Sequence, residues 1–415
     1  MKTLSKVLII GFVWPEPKSS AAGSRMIQLI ELFQKQNMEV HFVTTASETI
    51  HMVDLSVSGV VAKKIQLNHD SFDEYLNKLS PDLVLFDRFI TEEQFGWRAL
   101  EQCPDAIRIL DTEDLHCLRK TRQEAFKKGI DFSLEMLLDS DIAKRELASI
   151  YRCDLSLIIS TYEIKLLKDT FKIDDSLLCY LPFLIPSVSL KEKEELPSYK
   201  ERQHFMCVGN FRHEPNWNMV LYLKQTIWPI IKKQLPKTEM HVYGSYPSEK
   251  VTQLNNIKEG FLIKGWADNV NAVMLSSRVC LAPIRFGAGI KGKFTDAMKN
   301  GLPSITTSIG AEGMAHDLPW GGSVVNNPID ISNAAVNLYN NKEQWLIAQQ
   351  NGFEIINNIY SKTKHQEIFL DKLILLSKSL SKHRSANFIG AMLGLHTLKS
   401  SKYLSKWISE KEKNK

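Results

Sequence analysis

Residues 285–301 carry glycines and basic residues at spacings that are typical of phosphate binding. Gly287, Gly289 and Gly292 form a G-x-G-x-x-G pattern, and residues 287–293 also read G-x-x-x-x-G-K. Glycines let backbone N–H groups approach an anion closely where a helix begins. The same stretch holds positive charges on Arg285, Lys291 and Lys293. The segment therefore predicts a phosphate-binding loop.

The surrounding sequence favours a diphosphate without a bound metal. A dinucleotide fingerprint should open a long helix, but the helical pattern KFTDAMKN stops before Gly301 after about two turns. Glu312 lies past the next apolar run, where the fingerprint does not place its acidic residue. A P-loop ATPase needs Ser or Thr after the lysine to bind Mg²⁺, and Phe294 occupies that position. An NAD-dependent oxidoreductase is the least favoured alternative.

A second group of chemically capable side chains follows the apolar run IRILDT. It reads D-x-E-D-x-H and consists of Asp111, Glu113, Asp114 and His116. In α/β proteins such residues at the end of a strand lie where ligands bind. The spacing matches no standard zinc or calcium pattern. For Asp114 we expect a helix N-cap, and the structural alternative for His116 is a capping or surface histidine.

Continuous apolar runs supply the strands that must position these groups. One set reads VLIIGF, VHFVTTA, DLVLFD, IRILDT, LSLIIS and YLPFLIP, and a second reads HFMCVGN, EMHVYG, FLIKG, VCLAPI, PSITTS and GSVVNN. Such runs are typical of parallel strands buried on both faces. The charged, proline-containing segment 185–203 predicts a linker between the two sets. We expect two doubly wound α/β domains, residues 1–188 and 203–380, with the ligand site in the cleft between them and a helical tail at 381–415.

The composition fits an ordinary globular enzyme rather than a nucleic-acid binder or a membrane-spanning protein. The chain has 415 residues, 44% hydrophobic content and a formal charge of only +5. The 6 cysteines lie at wide spacings that fit neither zinc sites nor a disulfide framework. The first apolar run is too short for a signal peptide, and no stretch reaches the roughly 20 apolar residues of a membrane span. We expect a cytoplasmic protein.

Several segments together resemble the retaining nucleotide-sugar glycosyltransferases with the GT-B fold, glycosyltransferase family 4. The resemblance is most specific in APIRFGAGIKGKFTDAMKNGLPSITTSIGAEGM and VGNFRHEPNWN, and looser in PEPKSSAAGSR and ILDTEDLH. It implies that the second domain binds a UDP- or GDP-sugar, that the first binds a saccharide or lipid-linked acceptor, and that no metal or other cofactor is needed. Bacterial surface polysaccharide or glycoconjugate synthesis is the setting it suggests.

The resemblance also implies roles for individual residues. It gives catalytic roles to His116 near the anomeric centre, to Lys291 at the diphosphate and to Asp296 at the ribose hydroxyls. Donor-binding roles are implied for Gly23, Arg212, Arg285, Gly287, Gly289, Lys293 and Glu312. Two departures stand out: Ala288 replaces a glutamate of the family motif, and Asn210 replaces a phosphate-binding arginine whose charge Arg212 could supply.

These departures leave alternatives open. A sugar-nucleotide epimerase or a phosphorylase would share the GT-B architecture, and a noncatalytic protein would bind a nucleotide sugar without turnover. In the tail, Tyr403 and Trp407 lie four residues apart among lysines, so an amphipathic helix is expected. Such a helix could cross back to the first domain or make a peripheral contact with the inner membrane face.

Overall fold

The computed structural model describes residues 4–413. Two parallel sheets form its framework, and their strand orders are β3-β2-β1-β4-β5-β6-β7 and β10-β9-β8-β11-β12-β13. The strands of the first sheet are β1 Lys6–Gly11, β2 Glu39–Thr44, β3 Val61–Lys64, β4 Leu83–Asp87, β5 Ile107–Asp111, β6 Leu155–Ile158 and β7 Leu178–Tyr180. Those of the second are β8 Gln203–Val208, β9 Met240–Tyr243, β10 Phe261–Gly265, β11 Ser277–Leu281, β12 Ser304–Thr306 and β13 Gly322–Val324.

Helices connect the strands and cover both sheets. In the first domain and the linker they are α1 Ala21–Lys35, α2 Ser71–Leu79, α3 Arg88–Gln102, α4 His116–Lys128, α5 Leu134–Leu138, α6 Asp141–Arg152, α7 Thr161–Asp169 and α8 Leu190–Glu194. In the second domain they are α9 Glu214–Tyr222, α10 Trp228–Gln234, α11 Glu249–Thr252, α12 Val270–Ser276, α13 Gly292–Lys299, α14 Ser308–Ala311, α15 Pro328–Asn340 and α16 Lys342–Ile359. The chain ends with α17 Lys362–Ala386 and α18 Phe388–Lys413.

The apolar strand runs are buried on both faces, as their composition predicts. In β1, Val7 and Ile9 join the core on one face of the sheet, whereas Leu8 and Ile10 join the core on the other. Alternating side chains in one continuous apolar run therefore serve two cores. The second sheet has its own core around Phe205. The predicted class, two Rossmann-like α/β domains, is confirmed.

Two strands differ from the sequence-based expectation. All four residues of β3 are exposed, so this edge strand has no apolar pattern that could reveal it. The strand expected over YLPFLIP instead ends at Tyr180, where that run begins. Leu181 and Leu184 are buried without belonging to a strand. Burial in the connection between the domains, rather than strand pairing, explains why this run is apolar.

The end of the chain returns to the first domain. Phe369, Leu373 and Leu376 of α17 pack in the core beneath β1 and β4, so the boundary expected at residue 380 falls inside this helix. Helix α18 then contacts α3 and α6. No helix in the described part of the chain combines the length and the hydropathy that a membrane span requires.

Candidate active site

The two domains touch through the loops at the carboxyl ends of their strands. Between β1 and α1, Ser19 Oγ lies 2.8 Å from Ser245 Oγ and accepts a hydrogen bond from Asn210 Nδ2 at 3.1 Å. His51 stacks on Trp266 with 3.9 Å between ring centroids. The cleft is therefore closed in this structure, and residues of both domains line it.

The predicted phosphate-binding loop leads directly into α13. Lys291 is the N-cap residue, and no side chain caps this helix. The ammonium group of Lys291 donates to the carbonyl oxygen of Gly289 at 2.8 Å, and that of Lys293 donates to Asn216 Oδ1 at 2.7 Å. Within residues 4–413, neither lysine forms a salt bridge with a carboxylate. An uncapped helix N-terminus beside two unpaired cations is a favourable place for an anion.

Burial destabilises the charged form of both lysines. It lowers the pKa of Lys291 to about 8, and it also lowers the pKa of Lys293. A diphosphate bound between them would offset this desolvation, because an anion stabilises the ammonium form. The two lysines that the sequence predicts as phosphate ligands thus lie together at one helix start.

Asp296 lies in the second turn of α13 and remains exposed. Its carboxylate forms no hydrogen bond or ion pair with another described residue. Although the side chain keeps contact with solvent, the surrounding protein raises its pKa to about 6. The group is therefore free to accept hydrogen bonds from a ligand hydroxyl.

The glycines of the loop are held by the first domain. The carbonyl oxygen of Gly287 accepts a hydrogen bond from Arg122 Nη1 at 2.9 Å, and the N–H of Gly289 donates to Glu163 Oε1 at 2.8 Å. Gly289 has φ +63°, and a Cβ there would lie 2.7 Å from the Cβ of Asp114. Glycine is required at this position both by its backbone conformation and by the close approach of the other domain.

Three predicted donor contacts have protein partners in this closed structure. Glu312 forms a bidentate salt bridge with Arg122, with distances of 2.7 and 2.8 Å. The guanidinium of Arg285 donates to Asn218 and lies over the rings of Phe126 and Tyr222. That of Arg212 is 3.5 Å from the ring centroid of Tyr246. We therefore assign these three side chains to contacts around the loop rather than to a free phosphate site.

The loop before α1 leads into a helix that begins at Ala21, with Ser20 as its N-cap. Gly23 lies inside the first turn, where its N–H donates to Ser20 Oγ at 3.0 Å. A Cβ on Gly23 would come within 2.4 Å of the backbone of Glu16. This glycine lets the loop fold back against the helix and reach the second domain.

His116 is the first residue of α4, at the carboxyl end of β5. Its Nε2 lies 3.5 Å from Asp114 Oδ1, and its ring meets that of Phe89 edge to face. Burial lowers the pKa of the imidazole to about 3. The ring is therefore neutral at physiological pH, and it can hydrogen-bond a ligand hydroxyl but does not supply a positive charge.

Asp114 is not the helix cap that the sequence predicts. Its carboxylate accepts hydrogen bonds from Arg119 Nε at 2.7 Å and from Nη2 at 3.2 Å. Although burial alone would raise the pKa of Asp114, the positive charge of Arg119 and its hydrogen bonds to the carboxylate lower it. Asp114 is therefore an ionised partner that orients both neighbouring side chains.

A group of charged residues lies at the ends of β4 and β5. Asp87 is 3% exposed, and Arg88 is largely buried. Arg25 pairs with Asp111 at 2.8 Å. Burial raises the pKa of Glu113 well above its usual range, and the neighbouring carboxylates add to the effect. The second domain sits opposite these groups.

The backbone conformation is also unusual at the ends of β4 and β5. Arg88 has φ +71° and Glu113 has φ +61°, values that non-glycine residues rarely adopt. Oδ1 of Asp87 is buried without a hydrogen-bond partner among the described residues. Strained backbone and unsatisfied polar atoms are typical of functional sites. The sequence signal for this site is position, because Arg88 and Glu113 lie within two residues of the end of a strand.

Other features lie away from the cleft. A cavity of about 460 Å³ is lined by α3, α6 and α18, together with Arg108 and Asp154 at the amino-terminal ends of β5 and β6. His204, Glu239 and His241 place candidate metal-ligating atoms within 4.8 Å of one another. Because His204 Nδ1 accepts a hydrogen bond from the Glu239 N–H, this group already has protein partners. Neither feature contributes to the cleft.

Comparison with known proteins finds a family similar to the domain that carries the predicted phosphate-binding loop. Residues 202–341 match the family of group 1 glycosyl transferases. The second domain is therefore similar to the domains of this family. The match covers the loop, α13 and Glu312, and it leaves the first domain outside. No curated protein matches the chain in sequence.

Solved structures extend the likeness to both domains. Sucrose-phosphate synthase from Thermosynechococcus elongatus is 14% identical, with a TM-score of 0.67 over 90% of this chain and 100% of that chain. Anabaena Alr3699/HepE in complex with UDP and glucose is 11% identical, with a TM-score of 0.62 over 90% and 100% of the two chains. WaaG, a glycosyltransferase involved in lipopolysaccharide biosynthesis, is 12% identical, with a TM-score of 0.60 over 87% and 99%. At these identities the similarity establishes the GT-B fold.

Proposed function

We propose that this protein is a retaining glycosyltransferase that moves a sugar from a nucleotide diphosphate donor to an acceptor hydroxyl. The observation that carries the proposal is the uncapped start of α13 in the cleft, with Lys291 and Lys293 lacking carboxylate partners among the described residues. This arrangement suits the diphosphate of the donor, whose charge the two lysines would neutralise without a metal. Asp296 would bind the ribose hydroxyls.

The first domain would supply the acceptor side and part of the sugar site. His116, neutral and largely buried, would hydrogen-bond a hydroxyl of the transferred sugar. The charged group around Asp87 and Glu113 would bind acceptor hydroxyls, which suit carboxylates and guanidinium groups as hydrogen-bond partners.

For the chemical step, we propose that the leaving phosphate accepts the proton of the attacking hydroxyl on the same face of the sugar. The anomeric C–O bond to the phosphate breaks, the acceptor oxygen forms the new bond, and the configuration is retained. The protein contributes positioning and charge neutralisation at the phosphate. Lys291 and Lys293 would perform the second task, because both lie at the start of α13.

The proposed setting is the synthesis of a bacterial surface polysaccharide or glycoconjugate, with a saccharide or lipid-linked acceptor. WaaG, which shares the fold, is involved in lipopolysaccharide biosynthesis. We further propose a peripheral contact of α18 with the membrane where such acceptors reside. Its outward-facing apolar residues and lysines support this contact.

Thermal unfolding with separate additions of UDP, GDP, ADP, NAD and ATP, each with and without Mg²⁺, tests the proposal. A ligand that binds the folded state raises the unfolding midpoint. We expect UDP or GDP to raise it equally with and without Mg²⁺. A rise with NAD alone, or with ATP only in the presence of Mg²⁺, would contradict the proposed donor.

A further inference from the structure

Two side chains of the first domain form hydrogen bonds with the glycine loop 287–289, and the first of them is Arg122. This side chain projects from α4 and is 6% exposed. Nη1 donates to the carbonyl oxygen of Gly287 at 2.9 Å, and the guanidinium pairs with both carboxylate oxygens of Glu312. Its carbon Cζ lies 5.3 Å from the ring centroids of Phe132 and Tyr162. Packing and hydrogen bonds thus fix the group that holds the loop.

The second side chain is Glu163, in the first turn of α7. Oε1 accepts two N–H groups, from Leu115 of its own domain at 3.0 Å and from Gly289 of the other domain at 2.8 Å. The residue is fully buried, and Oε2 has no hydrogen-bond partner among the described residues. One carboxylate oxygen therefore joins the start of α4 to the phosphate-binding loop.

The loop segment that these hydrogen bonds hold is inserted into the first domain. Ala288 packs against the first-domain core that includes Leu115 and Leu166. Lys291 donates to the carbonyl oxygen of Gly289, the residue whose N–H the first domain binds, so the direction of its ammonium group depends on the position of that residue. The conformation of the loop and the placement of one proposed phosphate ligand are thus set by contacts that exist only when the domains are closed.

We propose that Arg122 and Glu163 are positioning residues that hold the loop 287–289 in its donor-binding conformation when the domains close. This inference rests on the proposed function. It makes donor binding and closure a single coupled equilibrium, because a nucleotide that needs the held loop favours the closed state. If the domains separated, the loop would lose its hydrogen bonds to Arg122 and Glu163. The carbonyl oxygen of Gly289, which accepts from Lys291, would then no longer be fixed in orientation.

The test is UDP binding measured by isothermal titration calorimetry, with GDP as the second probe, together with the radius of gyration from small-angle X-ray scattering. The variants are Glu163→Ala, Glu163→Gln and the double variant Arg122→Met/Glu312→Gln, which removes both charges of the pair. Arg145→Ala is the control, because Arg145 forms a half-exposed salt bridge with Glu93 inside the first domain. Thermal unfolding verifies that each variant is folded.

We expect Glu163→Ala and the double variant to bind UDP at least about tenfold more weakly and to remain more open with UDP. The oxygen of glutamine can still accept both N–H groups, so Glu163→Gln should stay within about threefold of wild type. Arg145→Ala should match wild type. Folded variants that bind UDP as wild type does would overturn the inference while the proposed function stands. A wild-type protein that binds neither UDP nor GDP would overturn the proposed function, and the inference with it.

Discussion

At the scale of single residues, Lys293 illustrates a conflict between stability and binding. Its ammonium group is largely buried, its pKa is lowered by burial, and its hydrogen-bond acceptor Asn216 is uncharged. A buried cation without an opposite charge costs folding free energy that an apolar side chain of similar length would not. Lys293→Met should therefore raise the unfolding midpoint of the free protein.

The same substitution should weaken UDP binding by about 2 kcal/mol, because it removes a hydrogen-bond donor from the proposed diphosphate site. Calorimetric titration with UDP and thermal unfolding without it measure the two effects. Lys299→Met is the matched control, since Lys299 is exposed on the same helix. An unchanged UDP affinity, or a midpoint lowered relative to this control, would contradict the assignment of Lys293.

Lys291 predicts a pH dependence whose sign follows from its lowered pKa. Burial places this pKa at about 8, so the group is charged below that pH and neutral above it. A diphosphate favours the charged form, and UDP affinity should therefore fall by up to about tenfold per pH unit above about pH 8. Titrations between about pH 7.5 and 9.5 avoid the phosphate ionisation near pH 6.

Two variants separate Lys291 from other groups that titrate in this range. Lys291→Met should bind UDP weakly at every pH, with a flatter profile. Lys291→Arg keeps its charge throughout, because a guanidinium stays protonated, and it should show no fall above pH 8. If UDP affinity falls above about pH 8 in both variants as steeply as in wild type, another titrating group causes the fall.

Candidate site residues could be predicted where they lie close together in the sequence. Lys291 and Lys293 follow their glycines within a few positions, and the structure places them at one helix start. The partner of Glu312 could not be predicted, because Arg122 is 190 residues away and in the other domain. The burial of Asp87 could not be predicted for a related reason: it depends on the packing of other elements around β4, which no local pattern records.

At the scale of secondary-structure elements, α18 has an outer face without a partner among the described residues. Phe388, Tyr403 and Trp407 are each at least 60% exposed. Lys411 lies 5.0 Å from the ring centroid of Trp407. Interfacial aromatic residues beside lysines suit the surface of an anionic membrane.

We expect the protein to sediment with vesicles that contain phosphatidylglycerol and to do so less with purely zwitterionic ones. The double variant Tyr403→Ala/Trp407→Ala should reduce this binding several-fold, because both side chains would enter the interface. Leu346→Ala/Ile347→Ala is the control, since it removes two exposed apolar side chains from α16. Equal sedimentation of both double variants and wild type would remove α18 as the membrane contact.

Strands and helices could be predicted from the sequence where their burial produces a pattern of apolar residues. Strands buried on both faces gave continuous apolar runs and were recognised, whereas the exposed residues of β3 gave none. The apolar run after Tyr180 was misread because burial alone does not distinguish a strand from a buried connection. The start of α1 could not be fixed from the sequence, since Ser20 and Ser24 are chemically equivalent candidates for the cap; the structure has Ser20 there.

At the scale of the whole molecule, the two domains are connected by two crossing segments that lie side by side. Ile185 N–H donates to the carbonyl oxygen of Tyr360, and the N–H of Lys362 donates to the carbonyl oxygen of Ile185. The first segment leads out of the first domain, and the second brings the chain back to it. The first domain is therefore completed by the end of the chain, and its stability should depend on α17 and α18.

Arg384, near the end of α17, offers a test of this dependence. Its guanidinium makes two hydrogen bonds of 2.7 Å to Asp154 and also donates to the carbonyl oxygens of Pro104 and Ala106. Asp154 is 2% exposed, and although its burial alone would raise its pKa, the contact with Arg384 lowers it. Arg384→Ala should therefore destabilise the first domain by about 3 kcal/mol, because it leaves a buried carboxylate without its main partner.

Hydrogen exchange should locate that loss. We expect faster exchange in α3, α6 and the strands of the first sheet, with the second domain and its response to UDP unchanged. Arg145→Ala, which breaks a half-exposed salt bridge on α6, should cost less than about 1 kcal/mol and leave exchange as in wild type. If Arg384→Ala accelerates exchange equally in both domains, the two domains unfold as one cooperative unit. In that case α17 and α18 stabilise the whole molecule rather than only the domain on which they pack.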